Sequence, residues 1–413
     1  MAQAVTPPKA ASAPQIAPSL SLPPSQFARL QPHAYLLSHL SPSTPNSRPS
    51  LRVNGRSKSQ SRPVSVNKGS LTHTNGSAVV RIGDTAAVCG VRAELLSTDD
   101  IAAWKVSSST SQNPSLSKRR KTETTQGTDG SESEEDDDES QIQSFNLLVP
   151  NLSLSTGCSP SFAPGAPPSS FAQSLSHQLL ALLHSSRLVR AEDLRVWFTP
   201  PDFSTMGEDV DMDSEEASET STPEIKAFWS LYIDILIISL AGNPFDAAWA
   251  AVVAALQDTR LPKAWWDIDS EMILCSDDVS ESRKLRLRGL PVSSSFAVFE
   301  ADAAAEWRAV VPQAPSSSRT DGKGKGKAKE EDVDSAETPE RWILADPDTF
   351  EESLCSEHVC VVVDKDPRQP SKVKILKIEK NGGLSVGREE LRSIVGQAAE
   401  RWDEVRSGLE GSS

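Results

Sequence analysis

Asp346, Glu351 and Glu352 place three carboxylates within seven residues, an oxygen-rich set of the kind that holds magnesium for phosphodiester hydrolysis. No further acidic partner is identifiable beside them, so the spacing alone does not build a metal shell. His73 and His177 have no Ser or Cys plus Asp arrangement to work with, and His184 ends an apolar stretch. All three read as structural histidines. Cys89, Cys158, Cys275, Cys355 and Cys360 are odd in number and scattered, without a Cys-x-x-Cys pair, which points to a reducing compartment and no structural zinc. Trp265-Trp266 and Trp402 have the chemistry of base-stacking platforms, but they sit within apolar periodicity and read as core or interface. Lys118-Arg119-Arg120-Lys121 is a basic cluster of the nuclear-import kind or a solvated linker, and the alternating Lys/Gly run from Lys323 to Lys329 reads as linker.

The elements that must position any such groups are set in a chain of 413 residues with net charge −15. That charge comes from two short tracts, Asp129 to Glu139 and Glu208 to Glu219. The rest is balanced, so the acidity does not exclude a nucleic-acid partner of the folded part. The most apolar run, Leu231 to Leu240, contains Asp234 and is half the ~20 residues that a membrane-crossing helix requires. It reads as a buried strand, and no membrane partner is expected. Met1 to Pro24 lacks both a signal core and transit-peptide arginines and reads as a disordered tail. Interruptions rich in Ser, Pro, Gly and acids at about 107–140, 204–222 and 313–339 bury too little apolar surface to offset the entropy of ordering them.

Between the interruptions the pattern is strong. Val64 to Leu71, Ser77 to Ile82 and Thr85 to Leu95 are β-branched runs separated by Asn75-Gly76 and Gly83-Asp84, which predicts an antiparallel meander. Leu175, Leu179, Leu182 and Leu183 form one stripe of a helix over Phe171 to Leu183. Ile225 to Leu240 is a long strand, Asn243-Pro244 an N-cap with proline at the first helical position, and Phe245 to Leu256 the helix that follows. Strands are predicted at Ser294 to Glu300, Trp342 to Ala345, His358 to Val363 and Val373 to Ile378, then a turn at Asn381-Gly382-Gly383. A terminal helix from Arg388 to Leu409 covers the sheet. This order describes an α+β fold with helices packed on mixed β-sheets.

The stretch Asn75 to Glu94 resembles the first hairpin of RNase PH-like proteins, D-G-S-A-x-V-x-x-G-x-T-x-V-x-x-G-V-x-A-E. Arg52-Val53-Asn54-Gly55-Arg56 resembles the family's R-P-D-G-R with two departures, and Arg62 follows at the family's spacing. Val149-Pro150-Asn151, Gly242-Asn243 with Asp246-Ala247, Ser294 to Ala297, and Asp346-Pro347 with Glu351-Glu352 recur in family order. The Gly242-Asn243 turn with Asp246-Ala247, and the Asp346-Pro347 segment with Glu351-Glu352, look like those of the non-catalytic ring subunits of the eukaryotic RNA exosome. The resemblance implies an RNase PH-like domain over residues 25–413, interrupted by the low-complexity insertions. It also implies a heterodimer within a six-membered ring of RNase PH-like subunits, RNA-binding cap subunits above it, and an RNA substrate threaded through it for 3′-to-5′ processing, rRNA maturation and turnover. No cofactor is implied, and the compartments would be nucleus, nucleolus and cytoplasm.

Active relatives carry a Gly-Thr-Arg or Gly-Ser-Arg turn after the central strand for the attacking phosphate. This sequence has Ala241-Gly242-Asn243-Pro244-Phe245-Asp246 in that place. The guanidinium is absent, Pro244 removes an amide donor and Asp246 adds a charge expected to repel phosphate, so Gly242, Asn243 and Asp246 form a degenerate phosphate site and no catalytic residue is assigned. The alternative reading is an active phosphorolytic 3′-to-5′ exoribonuclease. Arginines that inactive relatives often carry after Cys158-Ser159 are missing here. Arg52, Arg56, Arg62, Arg81 and Arg92 are the remaining candidates for RNA contact, or equally for ion pairs with neighbouring subunits.

Overall fold

The computed structural model describes residues 23–42, 49–102, 104, 140–160, 162, 167–200, 223–301, 341–366, 369–383 and 386–411. The basic cluster Lys118–Lys121, the lysine run Lys323–Lys329 and nearly all of the expected insertions lie outside them. The chain divides into two compact units, Met1–Ser57 with Ala301–Glu331, and Lys58–Glu300 with Asp332–Ser413. In the first unit two short helices, α1 (Pro24–Leu30) and α2 (Pro32–Leu40), each start on proline, whose fixed φ and missing N–H suit the first helical turn. The edge-to-face pair Phe27–Tyr35, with ring centroids 5.7 Å apart, joins them. Sequence periodicity had not indicated these helices, because each is too short to display a stripe.

The second unit opens with the meander β1 (Val64–Lys68), β2 (Gly76–Ile82) and β3 (Thr85–Ser97), with the turns where Asn75-Gly76 and Gly83-Asp84 require them. β4 (Leu148–Leu154) leads to α3 (Ser170–Ser186), whose buried Leu175, Leu179, Leu182 and Leu183 are the expected stripe. A short α4 (Ala191–Leu194) and β5 (Arg195–Phe198) precede the long β6 (Glu224–Ser239). These strands form one sheet in the order β1-β2-β3-β6-β4, with β5 also pairing β6. β4 runs parallel to β6 and the other pairs are antiparallel, so the sheet is mixed. The reading of Leu231–Leu240 as buried throughout is corrected: Leu236 and Ile238 point to the outer face and are exposed, while Ile235 and Ile237 face inward.

After β6 comes α5 (Pro244–Asp258). Residues Pro244 to Leu256 are all buried, an apolar circumference that a helix can carry only when both of its sides are covered. It packs on β2, β3 and β6 on one side and on a strand of a second sheet on the other. Small alanines at 247, 248, 250, 251, 254 and 255 let both layers approach closely. Trp249 fills the deeper space and donates its indole N–H to the Pro291 carbonyl at 2.9 Å. Each fully buried Val or Leu here contributes roughly 1.5–3 kcal/mol.

A peripheral section follows: β7 (Arg260–Leu261), a hairpin of β8 (Ala264–Asp267) and β9 (Met272–Cys275), and β10 (Arg283–Lys284), which pairs with β7. Of the two tryptophans read as core or interface, Trp265 is exposed on this hairpin and so is not core, because Trp265 and Trp266 alternate along one strand and only Trp266 turns inward. The second sheet is β11 (Val292–Glu300), β12 (Arg341–Ala345), β13 (Glu357–Asp366) and β14 (Gln369–Asn381), ordered β12-β11-β13-β14 and antiparallel throughout. Between β12 and β13 lies α6 (Thr349–Leu354), started by a capping box between Asp348 and Glu351. The terminal α7 (Arg388–Glu410) covers β11, β13 and β1 with Ile394, Ala398, Trp402, Val405 and Leu409, as the sequence stripe requires. Among the described residues no helix is long and apolar enough to cross a membrane.

Gly76 shows how tightly α5 is seated. A Cβ there would sit 2.6 Å from the Ala255 carbonyl oxygen and the Thr259 Cα, both main-chain atoms that cannot turn aside. Gly76→Ala is expected to destabilise the protein by about 2–3 kcal/mol, the cost of an overpacked core. The urea midpoint of the purified chain measures this, and an unchanged midpoint would mean that the end of α5 is not held against β2.

Candidate functional site

The turn between β6 and α5 is where the layers meet. Gly242 has φ +91°, and a Cβ on it would lie 2.6 Å from the main chain of Asp348 and Thr349, so only glycine fits. Asn243 follows at φ 50°, a left-handed conformation that asparagine tolerates, and its Oδ1 accepts the Asp246 N–H at 3.4 Å as the cap of α5. Its Nδ2 donates to Asp246 Oδ2 at 2.7 Å and to Asp346 Oδ1 at 2.9 Å. Asn243 thus ties the helix start to the end of β12.

Arg62, just before β1, spends its whole guanidinium on this turn. Nε donates to Asp346 Oδ2 at 2.8 Å, Nη2 to Asp346 Oδ1 at 2.7 Å and to the Gly242 carbonyl at 3.2 Å. Nη1 donates to the Ala241 carbonyl at 2.9 Å and to Thr85 Oγ1 at 3.4 Å. Thr85 Oγ1 in turn donates to the Gly242 carbonyl at 2.7 Å and accepts the Ala241 N–H at 3.1 Å. Burial alone would push the Asp346 carboxyl up, but the bidentate bonds and charge of Arg62 overcome it and hold it down at about 2. Burial likewise disfavours the charged guanidinium, and Asp346 outweighs that and raises Arg62 above its ordinary value.

Asp246 does not project toward an incoming anion, contrary to the sequence expectation. It is buried, with its carboxylate accepting the Ser295 N–H at 2.9 Å and the Ser295 hydroxyl at 3.0 Å, so it ties α5 to β11. Desolvation raises its pKa, opposed by the bonds from Asn243 and Ser295. The carboxylate that faces the open space is Glu352, which accepts the Asn243 N–H at 2.6 Å. Burial, and secondarily the charges of Asp346 and Asp348, lift Glu352 to about 7 against the pull of that bond and of Arg62.

Beside the turn is a cleft of about 330 Å³, lined by Phe171, Leu175 and Phe245 on its apolar side and by Glu352, Glu379 and His358 on its polar side. Among the described residues, neither an Arg nor a Lys lines it. Burial lowers the His358 pKa and raises that of the Cys360 thiol, so neither a cationic imidazole nor a thiolate is offered there. Among the described residues no group of His, Cys, Asp and Glu has metal-site geometry, and Asp346, Glu351 and Glu352 are engaged separately, with Arg62, with the cap of α6 and with Asn243. Such a site can order its own backbone, but it supplies no fixed cation for two polyanions.

The five candidate arginines stand in different settings. Arg62 is buried with its guanidinium donors all engaged within the protein, which removes it as an RNA contact. Arg52 is buried in the first unit and Arg56 is half-buried there. Arg81 and Arg92 are exposed on the outer face of the first sheet, Arg81 bonded to the Gly83 carbonyl at 2.9 Å and Arg92 paired with Asp234 at 3.1 Å. Arg81 lies opposite Ala86, six residues along β3 from Arg92, or roughly 20 Å at strand rise. Gly242, Asn243 and Asp246 do come together, whereas Thr85, Ser295 and the facing role of Glu352 were missed, since each acts across layers and leaves no local pattern.

Two substitutions test this geometry. Arg62→Met takes the guanidinium from the buried Asp346 carboxylate, and is expected to cost about 3–5 kcal/mol in urea unfolding, partly restored by adding Asp346→Asn. For Glu352, the folded pKa of about 7 lies above its unfolded value, so the native state holds an extra proton and stability falls as pH rises from about 4 to about 7. Glu352→Gln keeps the acceptor for Asn243, and should flatten that slope and raise stability at pH 8 by on the order of 2 kcal/mol. A parent and variant with parallel pH profiles would contradict the assignment.

Residues 60–135 and 115–262 match the family described as "3′ exoribonuclease family, domain 1" (RNase PH). The "Exosome complex component rrp43" of Schizosaccharomyces pombe is 30% identical over 281 residues, 68% of this chain and 76% of that protein. The "Exosome complex component Rrp42" of Methanothermobacter thermautotrophicus is 26% identical over 223 residues, 54% of this chain and 57% of that protein. The chain also superposes on a subunit of the Archaeoglobus fulgidus exosome with RNA bound to the active site, with TM-score 0.50 and 19% identity, covering 91% of this chain and 96% of that one. This last likeness concerns the fold.

Proposed function

The chain belongs to the RNase PH family of 3′ exoribonucleases, and from that premise we propose that it is a non-catalytic subunit of an RNA exosome ring. It pairs with another RNase PH-like subunit within a six-membered ring, is capped by RNA-binding subunits, and helps to form the channel through which RNA is threaded for 3′-to-5′ processing and degradation, including rRNA maturation. Exosome-component relatives support the assembly, and the single observation that supports loss of catalysis is the sign of the cleft. Glu352 and Glu379 line it, and the guanidinium at the turn, that of Arg62, is engaged by Asp346. Phosphorolysis brings inorganic phosphate against an RNA phosphodiester and requires cations where this cleft presents carboxylates.

The RNase PH-like domain spans residues 25–413, its insertions being dispensable for assembly. Arg81 and Arg92 remain candidates for sequence-independent contact with the RNA backbone because their side chains are exposed. The protein works in the nucleus, the nucleolus and the cytoplasm, where exosome complexes meet their substrates.

Incubating the purified chain with single-stranded RNA, inorganic phosphate and magnesium is expected to release no nucleoside diphosphates. Release that Asp246→Ala abolishes would overturn the non-catalytic reading.

A further inference from the structure

The hairpin of β8 and β9 presents a surface that neither the cleft nor the core uses. Cross-strand pairing sets Trp265 opposite Leu274 and Trp266 opposite Ile273, so the two tryptophans face opposite sides. The Trp266 side is anchored. Lys226 of β6 stands 5.6 Å from the Trp266 ring centre and 5.6 Å from that of Phe198, which sandwiches one ammonium between β5 and β8. The other side is bare: Trp265 is 40% exposed, Leu274 38% and Met272 60%, and Ile268 at the turn and Val279 beyond β9 are exposed as well. The hairpin forms a two-stranded sheet of its own, so each strand has an outer edge of backbone donors and acceptors outside the pairing.

Along the hairpin and the segment that leaves it the charge has one sign. From Ala264 to Glu281 the chain carries Asp267, Asp269, Glu271, Asp277, Asp278 and Glu281, with no Lys or Arg between them. Lys263 at its base answers Glu281 alone, at 3.2 Å. Carboxylates in that number repel an RNA backbone, which excludes the tryptophan as a base-stacking platform for single strands. An exposed tryptophan, methionine and leucine ringed by acids fit instead an extended polypeptide whose apolar side chains alternate with lysine or arginine.

We propose that the outer face and edge of this hairpin are a docking site for an extended, basic and apolar segment of another protein chain. Trp265, Met272 and Leu274 receive its apolar side chains, the acids around the turn pair with its cations, and the strand edge bonds its main chain. The anchoring of Trp266 holds the receiving face in one geometry before the partner arrives, which reduces the ordering entropy lost on binding. This surface lies apart from the cleft and does not depend on the reading of the cleft as non-catalytic.

The probe is a labelled peptide of sequence KVKIKVKIKVK, titrated by fluorescence anisotropy into the full-length chain, with EVEIEVEIEVE as its opposite-charge control. Binding of the lysine peptide is expected to weaken at least ten-fold in Trp265→Ser/Met272→Ser and to weaken in Asp269→Asn/Glu271→Gln, while the glutamate peptide does not bind. All four positions are on the surface, and circular dichroism checks that the variants fold as the parent does. Equal binding of the lysine peptide by parent and variants overturns the proposal, as does equal binding of the two peptides. Binding of a uridine 12-mer that Trp265→Ser abolishes would overturn it in favour of a nucleic-acid platform. Concentration-dependent self-association in sedimentation, lost in the same double variant, would overturn it in favour of a second copy.

Discussion

Arg62 and Asp346 stand 284 residues apart in the chain and 2.7 Å apart in space, and their bidentate pair is the knot on which the arrangement of layers depends. A guanidinium withdrawn from water is tolerable only when its donors are satisfied. Here the acceptors are one carboxylate from the second sheet, two carbonyls of the β6–α5 turn and a hydroxyl from the first sheet. The pair therefore fixes three things together: where β1 begins, how the turn is shaped and where β12 ends. Asn243 and Ser295 extend it by bonding the start of α5 to the second sheet, while Thr85 of the first sheet bonds the turn that leads into the helix.

The same network accounts for the chemistry of the cleft. Polar groups that could order a ligand have been turned inward to order the protein. Arg62 answers Asp346, the amide of Asn243 answers Glu352, and the first-turn amide of Asp246 answers its own cap. The groups that face the opening are apolar surface, the carboxyls of Glu352 and Glu379, and polar side chains such as Gln178 and Asn381. A helix N-terminus with its amides free draws anions, and here that attraction is met from within the fold.

The sequence carried the elements well and the cross-layer contacts poorly. The meander, α3, β6, α5 and α7 were legible because turn residues and apolar periodicity are local signals, and the Asn243-Pro244 cap was legible for the same reason. α1, α2 and the β8–β9 hairpin were not, being too short for a period to show. Asp246 was read as a charge that repels phosphate because nothing within its own helix indicates that Ser295, 49 residues away, donates to it twice. Arg62 shows the same limit: its spacing within a motif located it in the family, yet its partner lay at the other end of the chain. Trp265 and Trp266 were treated as one pair, although strand alternation assigns neighbours to opposite sides.

The complete burial of α5 has a consequence for how the polypeptide emerges during synthesis. Its first cover, the meander and β6, precedes it, but its second cover begins only at β11 and is secured by Asp346, about a hundred residues later. Until that stretch has left the ribosome, one flank of an alanine- and valine-rich cylinder has nothing of its own to lie against. The nascent chain thus passes through a sticky half-clad stage whose length is set by the distance from α5 to β12, and a chaperone that shields apolar helices has its natural client there.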